Sequence, residues 1–298
     1  MFQQKPKNNP IYGAGPEWTE GLEEELFDNF MEFKCFELIP ENFIDNPDRK
    51  YFLDELSKAS TPVLIHSVAL SLGTDEPLKS EHLDKVLAVG DQVNMVSLSD
   101  HLSMTESGGI EIGQLTPVPW SIKTADIVIR KIEQIKKRIS VPFALEHTAH
   151  KFFYPTSELS EPEFINRILD RTGCELILDL HNLHCNSKNA PFEPHEWLSE
   201  VQINAVTSIH LAGGYIDKYG TLQDGHNESV PEPVWDLLSY VLQIITPQAI
   251  IIERTGNYPG LKDLMAEVER ADRALLNSLK TTQIKNNNFE LESVGASL

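Results

Sequence analysis

Histidine, aspartate and glutamate recur in this chain at the ends of short apolar runs. His66 lies near the end of PVLIHSV, Asp100 and His101 follow VNMVSLS, and Glu146 with His147 ends VPFALEH. Asp179, His181 and Asn182 follow CELIL, His210 lies near the end of AVTSIHLA, and Glu253 lies near the end of AIIIER. Asp224 and His226 fall in the loop LQDGHNESVPEPVW. Taken singly, each has an ordinary structural explanation, as a helix cap or an ion-pair partner. Together they would crowd like charges into one place, where carboxylates repel each other unless cations intervene. The donors mix imidazole with carboxylate and include no obvious thiolate, which disfavours structural zinc and iron–sulfur clusters and suits iron, manganese or catalytic zinc. A mononuclear catalytic site uses about three protein ligands, so this many candidates suffice for two or three metals, bridged by carboxylates with Glu146 among them. Paired carboxylates working as acid and base without a metal remain the alternative at this point.

Such an assembly needs a scaffold that brings distant strand ends together. Apolar runs recur at Asn9–Ala14, Cys35–Pro40, Pro62–Val68, Val93–Ser99, Val141–His147, Cys174–Leu180, Ala205–Ala212 and Ala249–Arg254. Near-continuous apolar runs of this length suit strands covered on both faces of a parallel sheet. Amphipathic stretches separate them: Thr124–Arg138 places Ile127, Ile129, Ile132 and Ile135 near one face, and Pro162–Thr172 stops at Gly173. Ser229–Ile245 opens on a proline-rich start signal, and Gly260–Leu279 supplies a last helix. Eight strands alternating with helices predict an α/β fold, a single (β/α)8 barrel of the TIM type. Barrel enzymes assemble their sites from the C-terminal ends of several strands, which is where the polar residues fall. No GxGxxG turn follows the first strand, as an open dinucleotide-binding sheet would have. The barrel is expected over residues 1–280, with 281–298 as a flexible C-terminal tail.

Bulk properties agree with an enzyme of this kind. The 298 residues are 41% hydrophobic and 23% charged, with a formal net charge of −20. That acidity argues against a nucleic-acid partner, which needs concentrated basic surface. No apolar stretch is long enough for a membrane span, the first residues lack the apolar centre of a signal peptide, and the three cysteines show no paired spacing. A cytoplasmic location is expected.

At these residues the sequence resembles the multinuclear non-heme iron-dependent oxidative enzymes, formerly the domain of unknown function 692, which include the methanobactin biosynthesis enzyme. The resemblance runs from about Ile11 to Leu275 and rests on PENF (Pro40–Phe43), IHSVALSLG (Ile65–Gly73), SLSDHLSM (Ser97–Met104), LEH (Leu145–His147), EFINRILDRTGCELILDLHNLHCNSKN (Glu163–Asn189), IHLAGG (Ile209–Gly214) and QDGHNESVPEPVW (Gln223–Trp235). It implies a TIM-type barrel holding two or three irons in the Fe2+/Fe3+ states. Such an enzyme modifies a ribosomally made precursor peptide, often at cysteine, with molecular oxygen and in many cases with a peptide-presenting partner protein. Carried over by motif, the metal ligands would be His66, His101, Glu146, Asp179, Asn182, His210, Asp224, His226 and Glu253, with Glu146, His101 and Asp179 at the reacting centre and Asp100 supporting His101. Three departures stand out. His147 replaces an asparagine, Gly214 replaces a histidine found in many members, and the arginine that often follows the first glycine-rich strand is absent from GAGPEWTE.

Two rival functions follow from the same residues: a zinc, manganese or magnesium barrel acting as isomerase or hydrolase, like the sugar isomerases and related endonucleases, and a barrel that only binds metal or peptide. His82 and His195 read as helix surface and helix-start packing. His150 and His184 lie near the expected mouth, either supporting the site or serving the fold. Cys185 has no feature that makes it a nucleophile.

Overall fold

The computed structural model of the chain describes residues 10–19, 21–150, 152–190, 192–257 and 260–295, with side chains to 281. Eight short strands form one parallel sheet: β1 (Gly13–Pro16), β2 (Phe36–Leu38), β3 (Pro62–Ser67), β4 (Asn94–His101), β5 (Phe143–Glu146), β6 (Glu175–Asp179), β7 (Val206–Leu211) and β8 (Ala249–Ile252). Each strand from β2 to β8 pairs with the next, and β8 pairs with β1. The ring closes at a parallel bridge between Glu17 and Glu37, where the Trp18 amide donates to the Glu37 carbonyl at 2.8 Å. The fold is therefore the expected (β/α)8 barrel in a single domain.

Helices cover the outside: α1 (Glu23–Asn29), α2 (Lys50–Ala59), α3 (Ser80–Gly90), α4 (Ile122–Lys136), α5 (Glu161–Thr172), α6 (Leu180–Asn189), α7 (Pro194–Glu200), α8 (Glu232–Val241) and α9 (Leu261–Gly295). Local chemistry sets their ends. Ser160 and Glu163 form a reciprocal capping box at the start of α5, and Gly173 ends it at φ 58° with its amide on the Leu169 carbonyl. The backbone of α9 is helical to Gly295, whereas the expected tail from 281 lies almost wholly where side chains fall outside those described. Among the described residues no helix is long and apolar enough to cross a membrane. Two antiparallel hairpins leave the C-terminal face: Ser103–Ser107 with Ile110–Pro117 after β4, and Tyr215–Ile216 with Leu222–Gln223 after β7.

Apolar packing falls into two bodies. The larger one, between sheet and helices, runs from Trp18 and Leu26 through Ile132 and Phe164 to Leu238 and Leu275. A small separate cluster of Cys35, Leu64, Ala249 and Ile251, with Tyr12 and Val96 against it, fills the lower barrel interior. Residues two apart on a strand share a face. One step up from this apolar floor the inward positions turn polar: Cys35 gives way to Glu37, Leu64 to His66 and Ile251 to Glu253.

The first strand differs from expectation. The apolar run suggested Asn9–Ala14, of which Asn9 lies outside the described residues, whereas β1 is Gly13–Pro16. Glycine is a poor strand former by propensity, yet here close packing requires it. A Cβ on Gly15 would sit 1.9 Å from the Cys35 carbonyl oxygen. Replacing Gly15 with alanine should therefore force β1 and β2 apart and cost about 3 kcal/mol. Thermal or urea denaturation measures it, and an unchanged midpoint would mean that the two backbones can separate freely.

Candidate metal centre

Every barrel strand delivers one histidine or carboxylate to the same level at the C-terminal mouth. In chain order these are Glu17, Glu37, His66, His101, Glu146, Asp179, His210 and Glu253, all buried. Sheet register explains their meeting: His101 lies opposite Glu146, Asp179 opposite His210, and His66 opposite Ser99. Within the ring three ligand sets form, each with donor atoms within 4.8 Å of one another: His66–His101–Glu146, Glu146–Asp179–His210 and His66–His210–Glu253. Glu146 belongs to two of them, as a bridging carboxylate should.

Hydrogen bonds fix which nitrogen of His66 and of His210 faces inward. Ser99 donates its hydroxyl proton to the Ile65 carbonyl at 3.2 Å, so it can only accept from His66 Nδ1 at 2.8 Å. The bare lone pair of His66 then sits on Nε2, 2.9 Å from Glu146 Oε2 and 3.3 Å from His101 Nε2. Glu37 Oε2 holds His210 Nε2 at 3.0 Å, which turns Nδ1 towards Glu253 Oε1 at 3.1 Å and Glu146 Oε2 at 3.5 Å. Asn182 directs its Nδ2 at the His147 carbonyl (3.2 Å) and at Glu146 Oε1 (3.4 Å), leaving Oδ1 without a partner. Glu146 Oε2, Asp179 Oδ2, His210 Nδ1 and Glu253 Oε2 are likewise buried with no hydrogen-bond partner among the described residues. Lone pairs converging without donors are what a cation site requires, and imidazole, carboxylate and amide oxygen suit iron, manganese or zinc.

Electrostatics carries the same message. Burial acts against a charged His66, yet Glu37 and Glu146 outweigh it and lift the imidazole to about 9. Burial also opposes charge on His210, but Glu37, Glu253 and Glu146 hold it well above its ordinary value. Asp179 is pushed far up by burial and then by Glu253, Glu146 and Asp224. Glu146 is held down despite its burial, by His101, His210 and His66. Positive charge is demanded at the middle of the ring, from protons or from metal.

Asp224 and His226 come from the loop after β7 and stand 2.9 Å apart, with His226 Nε2 3.8 Å from Glu253 Oε2. All nine sequence-derived residues thus gather at one mouth. Two ring positions were not foreseen. Glu37 was visible as a lone charge inside CFELIP, and Glu17 was hidden because the first strand was placed too early. Asp100 acts differently from expectation: it accepts from its neighbour's backbone, His101 N at 2.5 Å, and from Leu70 N at 2.9 Å, and so braces the turn after β3 rather than the imidazole.

The three departures have structural explanations. His147 is fully buried and packs 5.0 Å from the Trp197 ring, facing outward beneath α7. A Cβ on Gly214 would meet the Gln223 carbonyl at 1.9 Å and His181 Nε2 at 2.8 Å, so the histidine of α6 borders that space instead. Where an arginine was absent after the glycine-rich strand, Glu17 enters the ring. His150 serves the fold, pairing with Glu161 at 2.6 Å, while Glu161 also accepts from Trp197 Nε1 at 3.0 Å. His82 is pinned to Glu41 at 2.8 Å, exposed His195 stacks edge-on against Tyr240, and His184 lies 6.4 Å from the His181 ring. Cys185 is buried 3.5 Å from His181 Nε2, and burial, with Asp224 and Asp179, pushes its thiol up.

A sequence profile described as the RiPP precursor modification enzyme MbnB/TglH/ChrH matches residues 13–276. A UPF0276 protein of Caulobacter vibrioides (strain NA1000 / CB15N) is 31% identical over 235 residues, 79% of this chain and 84% of the relative. One from Acaryochloris marina is 29% identical over 239 residues, covering 80% and 86%. Among solved structures, a xylose isomerase domain containing protein from Salmonella typhimurium superposes with a TM-score of 0.55 at 12% identity, over 89% of this chain and 97% of that one. A D-psicose 3-epimerase from Clostridium cellulolyticum gives 0.54 at 11%, over 91% and 98%. At such identities these structures share the fold alone.

Two outcomes are expected. Replacing Glu37 with glutamine frees the His210 ring to take the other tautomer, and should weaken metal retention about 10–100-fold; competition against a chelator measures it. Glu161 is an acid-sensitive element outside the ring. Burial raises its carboxyl, but His150 and the hydrogen bonds outweigh this and leave it below its ordinary 4.5. A lowered carboxyl stabilises the fold above 4.5 and loses that contribution as pH falls through the folded value. Glu161→Gln in metal-free protein should therefore flatten the fall of the melting temperature below pH 4.5, and an unaltered slope would contradict it.

Proposed function

The chain belongs to the RiPP precursor modification enzyme family MbnB/TglH/ChrH, and we propose that it uses two or three irons and molecular oxygen to oxidise a ribosomally made precursor peptide at cysteine. The observation that carries this reading is the inward ring of histidines and carboxylates whose unpartnered atoms converge on Glu146. His66, His101 and Glu146 would hold one iron, and Glu146, Asp179, His210 and Glu253 a second, with Asn182, Asp224 and His226 on the loop side. Iron supplies the one-electron redox chemistry that amino-acid side chains lack. The protein's part is preorganisation. Ser99 and Glu37 set the tautomers of His66 and His210, and Asn182 steadies Glu146.

Substrate contacts fall to the rim. Phe152 and Phe153 follow β5, and Tyr215, Ile216 and Tyr219 follow β7; all are exposed. Exposed aromatic and apolar side chains beside a polar mouth suit an extended peptide, which can also pair with a strand edge. A partner protein that presents the peptide fits the same rim. In a reducing cytoplasm the substrate cysteine would arrive as a thiol.

Anaerobic purification followed by metal analysis tests the reading. Two or more irons per chain, with oxygen consumption on adding a cysteine-containing precursor encoded beside the gene, is the expected result. Stoichiometric zinc alone, with no oxygen uptake, would instead favour isomerase or hydrolase chemistry.

A further inference from the structure

We propose that Glu17 is itself a metal ligand, completing with His226 and Glu253 a carboxylate-rich position at the open side of the ring. Donor atoms of these three residues lie within 4.8 Å of one another. Glu17 is 2% exposed, at the bridge that closes the barrel between β1 and β2. The charged groups that act on it most strongly are Glu253, His226, Glu37 and His66, two carboxylates and two imidazoles. Glu253 Oε2, on a 5% exposed residue, points into the same space with no hydrogen-bond partner among the described residues, 3.8 Å from His226 Nε2. Asp224 Oδ1 pairs with the same His226 nitrogen at 2.9 Å.

Donor chemistry separates this position from its neighbours. His66, His101 and Glu146 offer two imidazoles and one carboxylate, whereas Glu17 and Glu253 with His226 offer two carboxylates and one imidazole. Carboxylate oxygen favours hard cations. The position therefore takes a hard divalent or trivalent cation, and Glu17 supplies its ligand from the first strand. Where Glu17 served only as an ion-pair partner of His226, its loss would weaken the fold whether or not metal is present.

This rests on the metal-centre reading above, and the test keeps the two apart. Wild type, Glu17→Gln, His226→Asn, the double variant and His101→Ala are loaded anaerobically with ferrous iron, or with manganese(II), and freed of excess. Metal per chain and the melting temperatures of loaded and metal-free protein are then measured. Glu17→Gln should lose about one metal per chain, His226→Asn the same one, and the double variant no more than one. His101→Ala should lose a different one, so that combining it with Glu17→Gln removes two. Glutamine is isosteric and uncharged, so metal-free Glu17→Gln should melt no lower than wild type, while the loaded protein loses part of its metal-dependent gain. Wild-type stoichiometry in Glu17→Gln, or equal destabilisation with and without metal, overturns the assignment. A wild type that takes up no metal overturns both this assignment and the reading beneath it.

Discussion

Glu146 Oε2 is the point on which the rest of the molecule depends. It is buried, accepts no hydrogen bond among the described residues, and lies 2.9 Å from His66 Nε2 and 3.5 Å from both His101 Nε2 and His210 Nδ1. Ser99 and Glu37 hold the outer ring nitrogens of His66 and His210, so the inner nitrogens of those two imidazoles face that oxygen. Lone pairs aimed at a carboxylate in a water-poor interior are unfavourable unless a positive charge stands between them. The fold holds this arrangement open, and it requires positive charge at its centre, from protons or from metal.

A parallel barrel is suited to such a task. Each strand contributes one inward residue per level, and the backbone hydrogen bonds of the closed sheet fix the spacing without help from the side chains. The lower level, Cys35, Leu64, Ala249 and Ile251, is apolar and gives the polar level above it a floor. Support also comes sideways. Glu37 to His210, Ser99 to His66 and Asn182 to Glu146 each join neighbouring or facing strands and helices, so displacing one element disturbs ligands on another.

Much of this was legible in the sequence because both signals are local. Apolar runs with a histidine or carboxylate near the end mark a buried strand and its outlet at once, which is how the strands from His66 to Glu253 disclosed six of the eight ring positions. Glu37 carried the signal too, as one charge inside Phe-Glu-Leu, but sat mid-run rather than at an end. Glu17 escaped for a different reason. The first strand is Gly-Ala-Gly-Pro, chosen for close approach to Cys35 rather than for strand propensity, so hydrophobic patterning put its end two residues too soon. Asp100 shows the complementary limit. Its neighbour in sequence was correct, but whether it braces a ring or a backbone amide depends on the turn at Leu70, which no local pattern encodes.

The exposed aromatic and apolar residues at the mouth sit on loops and hairpins, whereas the ring residues from Glu17 to Glu253 sit on strands or immediately after them. Strand positions are tied into the sheet on both sides, while the hairpin Ser103–Pro117 is held along one strand by Ser71, Thr74 and Glu76 and leaves its second strand largely exposed. Insertions and substitutions can therefore accumulate in the rim while leaving the ligand spacing untouched. Relatives on this scaffold can diverge in the peptides they accept while inheriting one unchanged inorganic core.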